Sequence, residues 1–286
     1  MIKDKILLGI YKKMKKPLEG KGLSKYGIVK AVKNYAISNL RSEYVEVQGS
    51  KMHLDPKDCL KLSINEIFEP IETELVKREI QKGDVIIDIG ANVGYYTLLM
   101  AKLVGSDGKV FAFEPEPKNF ALLRENVKIN NYQNIILEQR AVANQTGKTR
   151  LYLCDTNTEM HRLDNSKNFK SSILIDVVKL DDYFHDSEFL KKINFLKIDV
   201  EGTEFDVING MIRILENNKK IKILLEFIPQ HLVGHGSRPN DLINLLLNQN
   251  FELFYINQEQ KKFVRLDNTQ KIFDTNLFGK SIFCKR

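Results

Sequence analysis

The sequence is poor in cysteine: Cys59, Cys154 and Cys284 lie far apart along 286 positions. None has a partner at the spacing of a redox motif or a metal-binding pair. That excludes a cysteine-based zinc site and a disulfide framework, and it suits a reducing compartment. Long apolar runs are missing as well, since no stretch approaches the ~20 residues needed to cross a bilayer. The run Ile6–Ile10 behind the first lysines is too brief for a secretory signal and lacks a small-residue cleavage site. A cytoplasmic protein is expected. No internal repeat or low-complexity segment is visible. No stacked-aromatic and basic stripe or recognisable nucleic-acid module accompanies the basic charge, so a nucleic-acid partner is not expected.

What is present is an ordinary globular composition, 43% hydrophobic and 28% charged, with a net charge of +7. That balance suits an anionic substrate, an acidic membrane surface or simply a lysine-rich solvated face. Residues 1–43 stand apart. Their lysines, as in Tyr11-Lys12-Lys13-Met14-Lys15-Lys16, alternate with apolar residues such as Ile28, Val29, Val32 and Ile37. This predicts a basic helical extension, either capping the main domain or resting peripherally on an anionic membrane or a partner. The main domain is expected over 44–286.

From Tyr44 a small hairpin is predicted over Tyr44–Leu54, then a helix over Glu66–Ile80. Strand and helix then alternate. Strands are expected at Val85–Ile89, Lys109–Phe113, Ile135–Val142, Ile193–Val200 and Ile221–Phe227, and helices at Tyr95–Leu103, Pro117–Asn130, Thr203–Leu215 and Asp241–Asn248. Thr149–Leu153 and Ile173–Val178 bracket a polar stretch and read as an inserted hairpin, while Phe251–Ile256 and Ser281–Cys284 close the chain. Repeated β-α units predict a Rossmann-like α/β fold, a mostly parallel sheet covered by helices on both faces.

The segment Asp88-Ile89-Gly90-Ala91-Asn92-Val93-Gly94-Tyr95 places a glycine turn between a buried strand and a helix. In doubly wound folds ligands bind at that edge. Gly90 and Gly94 permit a tight turn and close backbone approach, and the helix starting near Tyr95 offers free N–H groups to a carboxylate. The dinucleotide pattern Gly-x-Gly-x-x-Gly is absent, because Ala91-Asn92 stands where the middle glycine would admit a pyrophosphate. Asp88 would repel a pyrophosphate but attract an ammonium. A ligand carrying both a carboxylate and an ammonium has an amino-acid end, as S-adenosylmethionine does. Glu114, about 20 residues beyond the last glycine, stands where an acid accepts from ribose hydroxyls. Asn119 or Phe120 can flank the sugar or base, and a backbone N–H at Ala141 or Val142 can read the adenine edge. Taken alone, Glu114 is also a candidate helix-capping acid.

These motifs resemble the FkbM family of methyltransferases. The run Asp88–Thr97 looks like its first motif, Phe113-Glu114-Pro115 like its acidic ribose motif, and Lys197-Ile198-Asp199-Val200-Glu201-Gly202-Thr203-Glu204 with Val207-Ile208-Asn209-Gly210 like its fourth-strand signature. Leu180-Asp181-Asp182 and Leu224-Leu225-Glu226-Phe227 also stand where the family has comparable residues, and the likeness runs from about Tyr44 onward. It implies a class I methyltransferase fold with a seven-stranded sheet whose last strand is antiparallel. It further implies S-adenosylmethionine as cofactor and O-methylation of a small-molecule or glycan-type acceptor.

Methyl transfer from a sulfonium needs alignment and, for a hydroxyl acceptor, a base within reach. Asp199, Glu201, Glu226 and His231 are the catalytic candidates, and Asp199 can also contact the cofactor. His235 and Arg238 can grip an anionic or sugar substrate, and His161 is a further histidine in the polar insertion. The alternatives are a helix-start acid for Asp199, a turn residue for Glu201 and exposed loop histidines for the others. Glu226 interrupts an apolar strand and should be paired or face the crevice. Asp199, Glu201, Glu226 and His231 can in principle surround magnesium, but their spacing matches no ligand pattern, and no metal is expected.

Overall fold

The computed structural model describes residues 44–286 except 64, 66, 155–160, 164–168, 170, 259 and 267–279. The expected basic helical extension over 1–43 lies outside the described residues. The chain divides into two compact units, 1–68 and 69–286. In the first, β1 (Val45–Val47) and β2 (Ser50–Met52) form the expected hairpin. Its two-residue turn puts Gln48 and Gly49 at φ 52° and 76°, the pair of positive values that matches strand twist.

The second unit opens with α1 (Pro70–Glu79), shorter at its start than predicted because Pro70 takes the first helical turn. Then come β3 (Val85–Ile89), α2 (Tyr95–Val104), β4 (Lys109–Phe113), α3 (Pro117–Ile129) and β5 (Ile135–Glu138). The chain leaves the main sheet there. A short β6 (Ala141–Val142) pairs with β8 (Ser171–Val178), which pairs in turn with β7 (Gly147–Leu153) to form a separate three-stranded sheet. The predicted strand Ile135–Val142 is thus two strands in two sheets, broken at the exposed Gln139 and Arg140.

After α4 (Leu180–Tyr183) the main alternation resumes with β9 (Ile193–Ile198), α5 (Glu204–Asn209), α6 (Ile212–Asn217) and β10 (Lys222–Phe227). One helix is predicted over Thr203–Leu215, but two form: the backbone leaves the helical region at Met211 (φ −134°, ψ 23°), beside Gly210, where a Cβ would lie 2.2 Å from the Ala143 carbonyl oxygen. Next come α7 (Pro229–Gly234), α8 (Pro239–Asn248), β11 (Glu252–Asn257), β12 (Lys262–Arg265) and β13 (Lys280–Lys285).

The main sheet has the order β12-β11-β13-β10-β9-β3-β4-β5. Strands β5, β4, β3, β9 and β10 are mutually parallel, and β13 is inserted antiparallel between β10 and β11. This is the seven-stranded arrangement with an antiparallel last strand, extended by one edge strand, β12, that hairpins back on β11. Every residue of β3 is buried, so both faces of the sheet are covered. Ile87, Ile89, Leu196, Ile198, Leu225 and Phe227 contribute to one continuous apolar core. The opposite face of the same strands carries Asp88, Lys197 and Glu226, and the register sets Asp88 directly beside Lys197. Chain order reverses between β3 and β9, which opens a crevice at their carboxyl ends. Among the described residues no helix is long and apolar enough to cross a membrane.

Candidate active site

The glycine turn at the end of β3 is shaped by backbone hydrogen bonds. The N–H groups of Gly90 and Ala91 both donate to the Phe113 carbonyl at 3.0 Å, and Gly94 N–H donates to Ala91. Gly90, Asn92 and Gly94 have φ of 80°, 52° and 99°. A Cβ on Gly90 would lie 1.8 Å from the Asp199 carbonyl oxygen, and one on Gly94 would lie 2.7 Å from Leu123. These glycines therefore let the turn pack against the β9 end and against α3. The close approach expected toward a ligand is an approach to the protein itself. Gly90→Ala is expected to cost about 2–3 kcal/mol, from the left-handed φ and the displaced Asp199 backbone, as a lowered midpoint in chemical denaturation. An unchanged midpoint would show that the β9 end yields freely.

Glu114 sits at the end of β4, 5% exposed. Its Oε2 accepts from Asn92 N–H at 2.8 Å and its Oε1 from Glu116 N–H at 2.9 Å. The helix-capping alternative falls to Glu116 instead, which accepts from Asn119 N–H at 2.7 Å. Burial pushes the Glu114 carboxyl up to about 7 despite those two backbone donors, with Glu116 and Asp88 adding repulsion. Asn92 thus links the glycine turn to the acid, and the buried Asn119 lies one helical turn further on.

Three of the residues expected at the cofactor, Asp88, Ala141 and Val142, are placed elsewhere by the structure. Asp88 is 0% exposed. It accepts from the Thr97 hydroxyl at 2.5 Å and faces Lys197, so it is turned into the protein and not open to a ligand ammonium. Burial raises its pKa, and Lys197 and Thr97 oppose that rise. The buried Tyr95 directs its hydroxyl to Thr73 in α1, 3.0 Å away, which leaves the expected backbone role at the helix start untouched. Ala141 and Val142 are buried in the second sheet, paired with Val177 and Val178, and do not end the strand beside the crevice. That strand stops at Glu138, whose Oε1 accepts from Tyr183.

The catalytic candidates gather at the ends of β9 and β10. One carboxylate oxygen each from Asp199, Glu201 and Glu226 lies within 4.8 Å of the other two. His231 Nδ1 stands 2.9 Å from Glu201 Oε2, at ion-pair distance but without hydrogen-bond geometry. Glu201 reaches this place through a left-handed backbone, φ 56°, and Gly202 passes so near His231 that a Cβ would meet its carbonyl at 2.7 Å. Arg162, from the inserted hairpin, ties the turn together by donating to the carbonyls of Glu201 at 3.0 Å and His231 at 3.1 Å. Other candidates do not join them. His235 pairs with Asp206 at 3.1 Å, Arg238 pairs with Asp241, and His161 Nδ1 accepts from Cys154 N–H.

Lys197, Glu69 and Glu204 belong to the same site, although none is a catalytic or cofactor candidate on sequence grounds. Lys197, 7% exposed in its side chain, donates to Asp199 Oδ2 at 2.9 Å and lies over the Tyr96 ring. Burial would lower its pKa, but Asp199, Asp88 and Glu69 together raise it. Glu69 accepts from the Tyr96 hydroxyl at 2.9 Å and is pushed up to about 7 by burial and by Asp199. Glu204 accepts from Gly202 N–H and is likewise pushed up to about 7, chiefly by burial. A lysine inside the apolar run of β9 was the one visible signal for this network.

A family model described as "Methyltransferase FkbM domain" matches residues 88–253, more than half of the chain. Methyltransferase 1 of Beauveria bassiana is 28% identical over 144 residues, covering 44% of this chain and 57% of that protein. Hexuronic acid methyltransferase AglP of Haloferax volcanii is 28% identical over 147 residues, covering 50% of this chain and 56% of that protein. The 31-O-demethyl-FK506 methyltransferase FkbM of Streptomyces tacrolimicus is 38% identical over 73 residues, covering 26% of this chain and 27% of that protein. The chain spans about half the length, or less, of these three relatives.

Proposed function

The chain belongs to the FkbM methyltransferase domain family, and from that premise we propose that it transfers a methyl group from S-adenosylmethionine to a hydroxyl of a small-molecule or glycan-type acceptor. The observation that carries the cofactor reading is Glu114. Two backbone N–H groups hold its carboxylate beside the glycine turn, and each oxygen keeps a lone pair for a ribose hydroxyl. The N-terminus of α2 and the turn backbone suit the carboxylate of the amino-acid end. Asp88 is assigned a supporting role, fixing Thr97 in the first turn of α2 and balancing Lys197.

When bound, the cofactor supplies a methyl on a positively charged sulfur. The residues here orient the acceptor and take its proton. The hydroxyl proton of the acceptor would pass to a base, for which His231, 2.9 Å from Glu201, is our candidate. The hydroxyl acceptor draws support from the relative named for 31-O-demethyl-FK506, and the glycan-type acceptor from the one named for hexuronic acid.

Calorimetric titration with S-adenosylhomocysteine tests this reading. One equivalent is expected to bind, and NADH is expected not to. Binding of NADH without S-adenosylhomocysteine would replace the methyltransferase with an oxidoreductase. The basic composition of 1–43 also favours peripheral contact with an anionic membrane. Deleting 1–43 is then expected to abolish sedimentation with anionic vesicles while cofactor binding persists. Unchanged sedimentation would remove this second reading.

A further inference from the structure

We propose that Asp199, Glu201 and Glu226 form a binding site for one hard divalent cation, of the magnesium or manganese class, at the ends of β9 and β10. The three residues are distant from any ligand pattern in sequence, yet parallel pairing sets Leu225 beside Ile198 and so brings Glu226 level with Asp199. The left-handed backbone of Glu201 turns its carboxylate back to the same point. One oxygen from each lies within 4.8 Å of the others, a span that a cation with oxygen ligands at ~2.1–2.5 Å can bridge.

A second observation is independent of that spacing. Glu226 Oε2 is shut off from water and has no hydrogen-bond partner. Glu201 Oε2, in the same cluster, is likewise without a hydrogen-bond partner. Buried oxygens of this kind are costly unless something positive or protic meets them. The nearby lysine is committed elsewhere, because Lys197 donates to Asp199 and also faces Asp88 and Glu69. A divalent cation held between Asp199, Glu201 and Glu226 satisfies all three carboxylates at once. All-oxygen ligation selects hard cations over soft ones. If the methyltransferase reading holds, an acceptor hydroxyl coordinated there loses its proton more readily.

Manganese titration followed by electron paramagnetic resonance tests the site without any turnover. The full chain is expected to quench the free-ion signal of one equivalent. Glu226→Gln and Glu201→Gln should each weaken binding by at least tenfold. Glu226→Gln should also raise the melting temperature in metal-free buffer, because a buried acid has become a neutral amide. A free-ion signal that persists at millimolar protein, or variants that bind manganese as well as the wild type, would overturn the proposal. S-adenosylhomocysteine binding, measured on the same samples, reports on the cofactor reading. Manganese binding without it would sink the methyltransferase assignment and leave the metal site standing.

Discussion

Lys197→Met is expected to destabilise the fold by about 3–5 kcal/mol at pH 8, the usual consequence of removing one partner from a buried charge network. The side chain is 7% exposed and stands against Asp88, Asp199 and Glu69. Asp88 is the most vulnerable of the three. It is wholly buried and accepts from the Thr97 hydroxyl, and Lys197 is the cation whose charge holds it in its ionised form. Methionine fills nearly the same volume, so the loss reports charge and not a cavity. The deficit should shrink on acidification, since a protonated carboxyl needs no counter-charge. Urea denaturation of wild type and variant at pH 8 and pH 5.5 measures both quantities. Equal midpoints at pH 8 would mean that the three acids are not held by this lysine.

Glu114→Gln is expected to weaken S-adenosylhomocysteine binding by about 100-fold, on the order of 3 kcal/mol from charge-assisted bonds to two hydroxyls. The substitution is not conservative here. Both carboxylate oxygens accept backbone N–H groups, from Asn92 and Glu116, so an amide must turn its own NH2 against one of these donors. Glu114→Ala should lose at least as much affinity and, in addition, leave both N–H groups unpaired.

The wild-type protein should show a linked pH dependence. The free carboxyl is pushed up to about 7, and hydroxyl donors favour its ionised form, so binding releases a proton. Affinity should therefore rise with pH up to about 7, by as much as tenfold per unit, and level off above it. The stability of the unliganded fold runs the other way. A carboxyl raised from 4.5 to about 7 contributes stability that is complete below the lower value and lost as pH climbs through the upper one. Calorimetry in buffers of different ionisation enthalpy counts the released protons. A pH-independent affinity, or full binding by Glu114→Gln, would move the ribose contact to another residue.

Much of this protein can be read along the chain because the relevant signals are local. The alternation of buried strand runs with amphipathic helices, the glycine turn after Val85–Ile89 and the acid after Lys109–Phe113 each occupy a short window. Periodicity and turn chemistry act over that range. The candidates Asp199, Glu201, Glu226 and His231 stand out in the sequence for a related reason: polar residues in or just after the carboxyl ends of parallel strands share one edge of the sheet.

What lay beyond that reading depended on neighbours distant in sequence. Asp88 appears as an open acid until β9 is laid beside β3 and Lys197 arrives in register with it. The break after Glu138 and the transfer of Ala141 and Val142 to a second sheet follow from pairing with β8, more than thirty residues later. Gly90 and Gly94 look like openings for a ligand, yet the fold fills their space with the Asp199 carbonyl and Leu123. The three clustered carboxylates have no spacing to betray them, because parallel pairing and one left-handed residue create their proximity. A strand's identity is a property of its own residues. Its partners, and therefore which charges meet and which stay open to a ligand, emerge when the sheet closes.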